Sequence, residues 1–156
     1  MSEEIPLSPA DRALLRRLQA DSGATLERLA EAAALSPASA WRRVKALEEA
    51  GLVRARVALL DPAKAGRALC VFADVTLRDH AAEKRAAFER FVAAAEEVME
   101  CHSTAGGRDY LLKIRVAGVA EYEAFLMERL LAHPSVASAS SSFSLKELKY
   151  STALPL

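Results

Sequence analysis

The sequence predicts an α+β chain, an N-terminal winged helix-turn-helix domain followed by a C-terminal ferredoxin-like βαββαβ domain. Three observations carry that expectation. Residues 25–33 and the segment begun by Pro37 are both helical in pattern, and only Ala34, Leu35 and Ser36 separate them, the spacing of a helix-turn-helix. From Arg67 onward the apolar pattern changes to strand, helix, strand, strand, helix, strand, the order of a split βαβ fold. With 156 residues, 52% of them hydrophobic, the chain can fill two small cores. The boundaries follow: a helix-turn-helix domain over 1–53, a linker strand over 54–66 and the ferredoxin-like domain over 67–156.

Taken in order, residues 1–7 read as a loose tail. Ser8 caps a helix with Pro9 in its first position, and Asp11 stands where an acid closes a capping box with Ser8. Leu14, Leu15 and Leu18 form its inward stripe, and Asp21, Ser22 and Gly23 break it. The next helix turns Leu26, Leu29, Ala30 and Ala33 inward. Ser36 then caps a helix begun by Pro37, a residue whose missing N–H costs nothing at that position. Ala40, Val44 and Leu47 recur at i, i+4, i+7, and Gly51 is the stop.

At 100° per residue, Ala38, Arg42, Lys45 and Glu49 lie opposite that stripe, with Ser36 at its start and Ser39 and Trp41 on its flanks. Small residues and cations at a helix tip suit a DNA major groove. Arg42 is best placed for base readout and Lys45 for phosphate, while Arg43, about 60° from the core stripe by helical geometry, packs its stem and touches backbone. Residues 52–60 (LVRARVALL) are β-rich, with Arg54 and Arg56 on one side. They read as a wing or linker strand whose arginines either touch phosphate or are solvated. Pro62 and Gly66 mark its end.

In the second half, residues 69–77, 98–104, 109–116 and 136–145 read as strands, and 80–96 and 119–132 as helices, the latter closed by Pro134. Residues 105–108 form a turn and 146–156 a tail. Ser138, Ser140, Ser142 and Ser144 share one side of the last strand. Residues 69–77 are apolar on both sides, which marks a strand buried on both faces, and sheet-to-sheet dimerisation is the simplest way to bury it.

Charge and cysteines narrow the function. There are 21 basic and 21 acidic side chains, and through Leu60 nine basic stand against eight acidic. Any DNA site is therefore a local patch that a monomer binds weakly, and oligomerisation would multiply it. Cys70 and Cys101 sit in apolar runs and read as small buried hydrophobes. Three dispersed histidines and no CxxC give no metal site. No signal peptide or membrane-length apolar run is present, so a cytoplasmic setting without membrane partners is expected. No catalytic constellation appears. Cys101 and His102 are adjacent, but alternation sends them to opposite faces, and neither an enzyme activity nor a cofactor is expected.

Five stretches, in this order, resemble the leucine-responsive regulator/AsnC family of bacterial and archaeal transcription factors: LSPADRALLRRLQAD, LERLAEAAALSPASAWRRVKALEEAGLV, ALLDPAKAG, VMECHSTAGGRDYLLKIRV and HPSVASASSSFSLKELKYSTALPL. The resemblance spans nearly the whole chain. It implies a regulator of double-stranded DNA that dimerises through its sheet, the homodimers assembling to octamers, and that responds to a small effector, commonly an amino acid. In the family that effector sits between neighbouring dimers. Its pocket maps here to Gly106, Gly107, Arg108 and Asp109, with Ser103 and Ser142 as wall positions. Glycines let main-chain N–H groups approach a carboxylate, and an aspartate accepts from an ammonium. Alternatively, Gly106 and Gly107 only make a hairpin turn that Asp109 caps. Two departures stand out: Ala34 occupies a turn position where the family commonly has glycine, and Arg108 replaces an acid often found in the loop. The rival class is a metabolite sensor or enzyme built on the ferredoxin-like domain, with the helices as an interaction module.

Overall fold

The computed structural model describes residues 5–156; of the tail expected over residues 1–7, the first four lie outside the described residues. The contacts divide the chain into two units. One holds the described residues through Leu59 together with Lys149–Leu156, the other Leu60–Leu148.

The helical unit contains α1 (Pro9–Ala20), α2 (Leu26–Ala32) and α3 (Pro37–Glu49). Each begins at a hydroxyl cap: Ser8, Thr25 and Ser36 accept from the backbone N–H groups of Asp11, Arg28 and Ser39. The capping box of Ser8 and Asp11 is complete. Leu14, Leu18, Leu29, Ala30, Ala40 and Val44 form the core. Ala34, in the α2–α3 turn, is the sole non-glycine residue with positive φ (54°) among the described residues. That conformation costs an L-residue about 1–2 kcal/mol, so the turn is strained. Gly51, with φ 74°, ends α3 as a left-handed residue.

The strand expected over residues 52–60 does not form. The segment pairs with no strand, and Val57, Leu59 and Leu60 are at least 60% exposed. A strand exists only as part of a ladder, and no neighbouring segment of the described chain offers one. The tail also departs from expectation. Its end clusters with the helical unit, where Gln19 on α1 donates to the Leu154 carbonyl (3.2 Å) and accepts from the Leu154 N–H (2.6 Å), and Arg16 donates to the Leu156 carbonyl.

The second unit has the expected order: β1 (Leu69–Leu77), α4 (Ala82–Ala94), β2 (Val98–Ser103), β3 (Tyr110–Val116), α5 (Val119–Ala124) and β4 (Val136–Phe143). The helix expected over residues 119–132 changes pitch midway, and residues Phe125–Leu130 form a π-helical turn. Leu131 donates to the Leu126 carbonyl five residues back at 2.8 Å. The strands pair antiparallel in the order β2-β3-β1-β4. Val71, Ala73, Val75 and Leu77 of β1, with Tyr110, Leu112, Ile114 and Val116 of β3, pack against Phe88, Val92, Tyr122, Phe125 and Leu130. The pairing register puts Phe72, Asp74, Lys113, Arg115, Ser140 and Ser142 on the opposite face. That face is mixed: Phe72 is 39% exposed, while Lys113 pairs with Glu100 at 2.7 Å and Arg115 with Glu147 at 2.9 Å.

Candidate nucleic-acid interface and effector loop

The buried stripe of α3 is Ala40, Val44 and Leu47, so Ala38, Trp41, Arg42, Lys45 and Glu49 turn outward as the periodicity requires. At its start a short relay of hydrogen bonds orders the tip. The Ser36 hydroxyl caps the helix and lies 3.0 Å from the Ser39 hydroxyl, and Arg42 donates to the Ser39 Oγ at 3.4 Å. The Arg42 guanidinium is thus held over the first turn, where the N–H groups also point outward. Trp41 is 53% exposed, with the Lys45 ammonium 5.1 Å from its ring centroid. Lys45 also lies 3.8 Å from Glu49, both side chains being more than half exposed. Such a pair is worth little in water and yields to a phosphate.

Leu26, Leu29, Trp41, Val44, Lys45 and Arg56 line an open groove of about 420 Å³ beside α3. The linker arginines diverge. Arg56 pairs with Glu48 at 2.7 Å, whereas Arg54 is exposed with no ion pair among the described residues. Arg43 does not face outward with Arg42. Its guanidinium bonds Asp11 Oδ1 at 2.9 Å and the Ser8 hydroxyl at 3.3 Å, both at the start of α1. Burial alone would raise the Asp11 pKa, but the Ser8 hydrogen bonds and then Arg43 outweigh it and hold the carboxyl below its ordinary value. Asp11 reads from sequence as a cap; that it also receives an arginine from α3 is a long-range fact that no local pattern carries.

The β2–β3 hairpin carries the effector-loop residues. Ser103 ends β2 opposite Tyr110. The Thr104 N–H donates to the Asp109 carbonyl, and the Thr104 hydroxyl to the Arg108 carbonyl, both at 2.9 Å. Gly106 has φ 138°, a region that favours glycine, and no heavy atom outside its chain neighbours lies within 4 Å of where a Cβ would stand on Gly106 or Gly107. Both glycines and Arg108 are exposed. Asp109 is anchored to β1, its N–H donating to the Val75 carbonyl at 3.0 Å and its Oδ2 accepting from the Leu77 N–H at 2.7 Å. Its Oδ1 lies 3.6 Å from His80 Nδ1, a neighbour that sequence reading missed because it comes from the far end of β1. Asp109 therefore caps the end of β1 and keeps one oxygen toward the surface.

Ser142 stands apart. It lies on β4, at the sheet edge opposite β2, and pairs with Phe72 of β1, three residues along β1 from the loop-end pair of Val75 and Tyr110. One chain brings Ser103, Gly106, Gly107, Arg108 and Asp109 together and leaves Ser142 out. As alternation requires, Cys101 faces the core and His102 faces out, beside Glu100 at 3.4 Å. Burial first, then the Glu89 charge, raises the Cys101 pKa, which disfavours a thiolate nucleophile. No helix among the described residues is long and apolar enough to cross a membrane.

Comparison with known proteins gives the following. The Lrp/AsnC ligand binding domain model matches residues 70–154, and a winged helix-turn-helix DNA-binding model matches residues 7–54. The chain is 39% identical over 150 residues to the glutamate uptake regulatory protein of Zymomonas mobilis, covering 96% of this chain and 91% of that one. It is 36% identical to the DNA-binding transcriptional activator DecR of Escherichia coli, covering 96% and 99%. A crystal structure of a transcriptional regulator from Neisseria meningitidis in complex with L-methionine superposes with a TM-score of 0.93 at 38% identity, covering 96% of this chain and 97% of that one.

Proposed function

The chain belongs to the Lrp/AsnC family of transcriptional regulators, and from that premise we propose that the outward face of α3 reads duplex DNA while the β2–β3 loop senses an amino acid. The observation that carries the first half is the relay at the α3 tip, which holds Arg42 over the first turn through Ser39 and Ser36. Ser36 and Ser39 meet the backbone, Arg42 and Trp41 meet base edges, and Lys45, Arg54 and Arg56 meet phosphates. Lys45 and Arg56 exchange exposed carboxylate partners for phosphate on binding. Nine basic against eight acidic side chains through Leu60 make a single helical unit a weak ligand for DNA, so binding draws on a homodimer and its octamer, in the cytoplasm.

The second half rests on the hairpin. Gly106 and Gly107 leave open space for a carboxylate to approach main-chain N–H groups, and Asp109 Oδ1 accepts an ammonium. Arg108 beside them favours a ligand with a second acid. Ser142 reaches such a site only from another copy of the chain, which ties ligand binding to assembly. An effector changes DNA binding by favouring one assembly over another, to the extent that its affinities for them differ.

The test is a gel-shift titration with the Arg42→Ala/Lys45→Ala double variant, using the best-bound duplex from a randomised library. Loss of about 1–3 kcal/mol of binding for the base-reading position, and a salt slope reduced by about one for the phosphate position, are expected. Unchanged affinity refutes the assignment.

A further inference from the structure

The geometry points to Asp11 as the positioning residue of the DNA-reading helix, acting through Arg43; the inference rests on α3 being that helix. Periodicity places Arg43 on the flank of α3, one residue from the outward-facing Arg42 and close enough to contact a DNA backbone. The structure gives its guanidinium another partner. Arg43 spans from α3 to the start of α1, where it meets Asp11 Oδ1 at 2.9 Å and Ser8 Oγ at 3.3 Å. Asp11 Oδ2 is taken by the Ser8 N–H at 3.0 Å and by the Ser8 hydroxyl. The carboxylate therefore serves two helices at once, closing the cap of α1 with one oxygen and gripping α3 with the other.

Exposure decides which way Arg43 turns. The Asp11 side chain is only 13% exposed and that of Arg43 is 43% exposed. Turning Arg43 to a phosphate would strip a largely buried carboxylate of its counter-charge, a larger loss than an exposed pair suffers. Lys45 and Arg56 have exposed carboxylate partners and face no such cost. Arg43 is thus a strut. It pins α3 about its own axis, and successive residues on a helix are 100° apart, so a small roll of α3 swings Ser39 and Arg42 away from a base edge. Sites of this kind tolerate only about 10–20° of misorientation.

The experiment uses the full chain, at a temperature where every variant is folded, and measures affinity for the selected duplex across a salt series. Arg43→Met keeps the side-chain stem and is expected to weaken binding about tenfold with an unchanged salt slope, because no phosphate contact is removed. Asp11→Asn is expected to weaken binding comparably although it lies on α1, and the double variant to be no weaker than either single one. Ser8→Ala removes the neutral hydroxyl contact to Arg43 and the α1 cap but leaves the Arg43–Asp11 ion pair, and is expected to weaken binding clearly less than Asp11→Asn does. A fluorescence measurement without DNA runs in parallel: Asp11→Asn shifts the emission of Trp41, the chain's one tryptophan, and adding Arg43→Met shifts it no further. The strut is overturned if Arg43→Met lowers the salt slope by about one, if Asp11→Asn leaves both affinity and Trp41 emission unchanged, or if Ser8→Ala weakens binding as much as Asp11→Asn. If Arg42→Ala binds as the parent does, the DNA assignment of α3 fails instead, and the fluorescence result still decides whether Asp11 positions that helix.

Discussion

The outward face of α3 and the hairpin loop at residues 106–109 carry the two binding roles, and they differ in how much of each is finished within one chain. The α3 face is contiguous: its cap, its relay and its cations lie on 13 consecutive residues and the cap before them. The loop is half a site. Its aspartate is already bonded to the end of β1, and Ser142 sits at the far sheet edge. A site on one amphipathic helix is complete wherever the helix folds; a site made of loop ends and strand edges is complete only where another copy supplies the missing wall. The units below them differ in the same sense. The helical unit gets its helix starts from local caps, whereas every strand of the sheet unit depends on a pairing with a distant strand.

Four perturbations sharpen that contrast. The largest effect is expected from Phe88→Ala, since Phe88 is fully buried under the sheet and touches the Tyr110 ring at a centroid distance of 4.8 Å. It should cost about 3–5 kcal/mol as seen by hydrogen exchange of β1 amides, while Trp41 emission, which reports the helical unit, melts unchanged. Next is Asp109. Asp109→Ala leaves the buried Leu77 N–H without its acceptor and should cost about 1–3 kcal/mol of stability. Asp109→Asn keeps an oxygen for that N–H and should hold stability while calorimetric amino-acid binding falls. If both variants lose stability equally and bind alike, the surface-facing oxygen has no ligand role.

Acidification separates the units by pH window. His133 lies against Phe88 and Phe91, its ring 5.9 and 5.1 Å from theirs. Burial, aided by the Lys84 charge and opposed by an Ala87 backbone hydrogen bond, lowers its pKa. The unfolded chain then binds the proton more readily than the folded one, so sheet-unit stability falls as pH drops below the ordinary histidine value of about 6.5. The Asp11 contribution, also from a lowered pKa, persists until pH falls below the ordinary aspartate value of about 3.9. Thermal melts between these values should show β1 weakening before Trp41 responds, and His133→Phe should remove the early slope. The smallest effect is a gain. Ala34→Gly relieves the positive φ in the α2–α3 turn and should add about 0.5–1 kcal/mol to the helical unit, read as a higher Trp41 melting temperature.

Sequence reading succeeded where structure is local. Ser8 and Ser36 cap, Pro9 and Pro37 open helices, Gly51 closes one, and residues 69–77 form a strand at their expected limits. Strain at Ala34 was legible too, because only the turn position and the missing glycine were needed to see it. It failed where an outcome depends on something distant. Residues 52–60 have strand composition but no neighbouring strand. The π turn after α5 buries Phe125 and Leu130, five residues apart, a spacing that the 3.6-residue pattern does not single out. Of the site residues, those on α3 other than Arg43 stand where periodicity puts them. Arg43 and Asp109 were assigned from position alone, and their partners, Asp11 and Leu77, lie 32 residues away in each case.

Site-specific photo-crosslinking addresses the main assignment most directly. A photoreactive residue is placed at position 39 on the α3 tip or at position 103 beside the hairpin loop, and each full-length protein is irradiated with the selected duplex. Crosslinks to DNA from position 39 and none from position 103 are expected. Crosslinks from position 103 with none from position 39 would contradict α3 as the DNA-reading element.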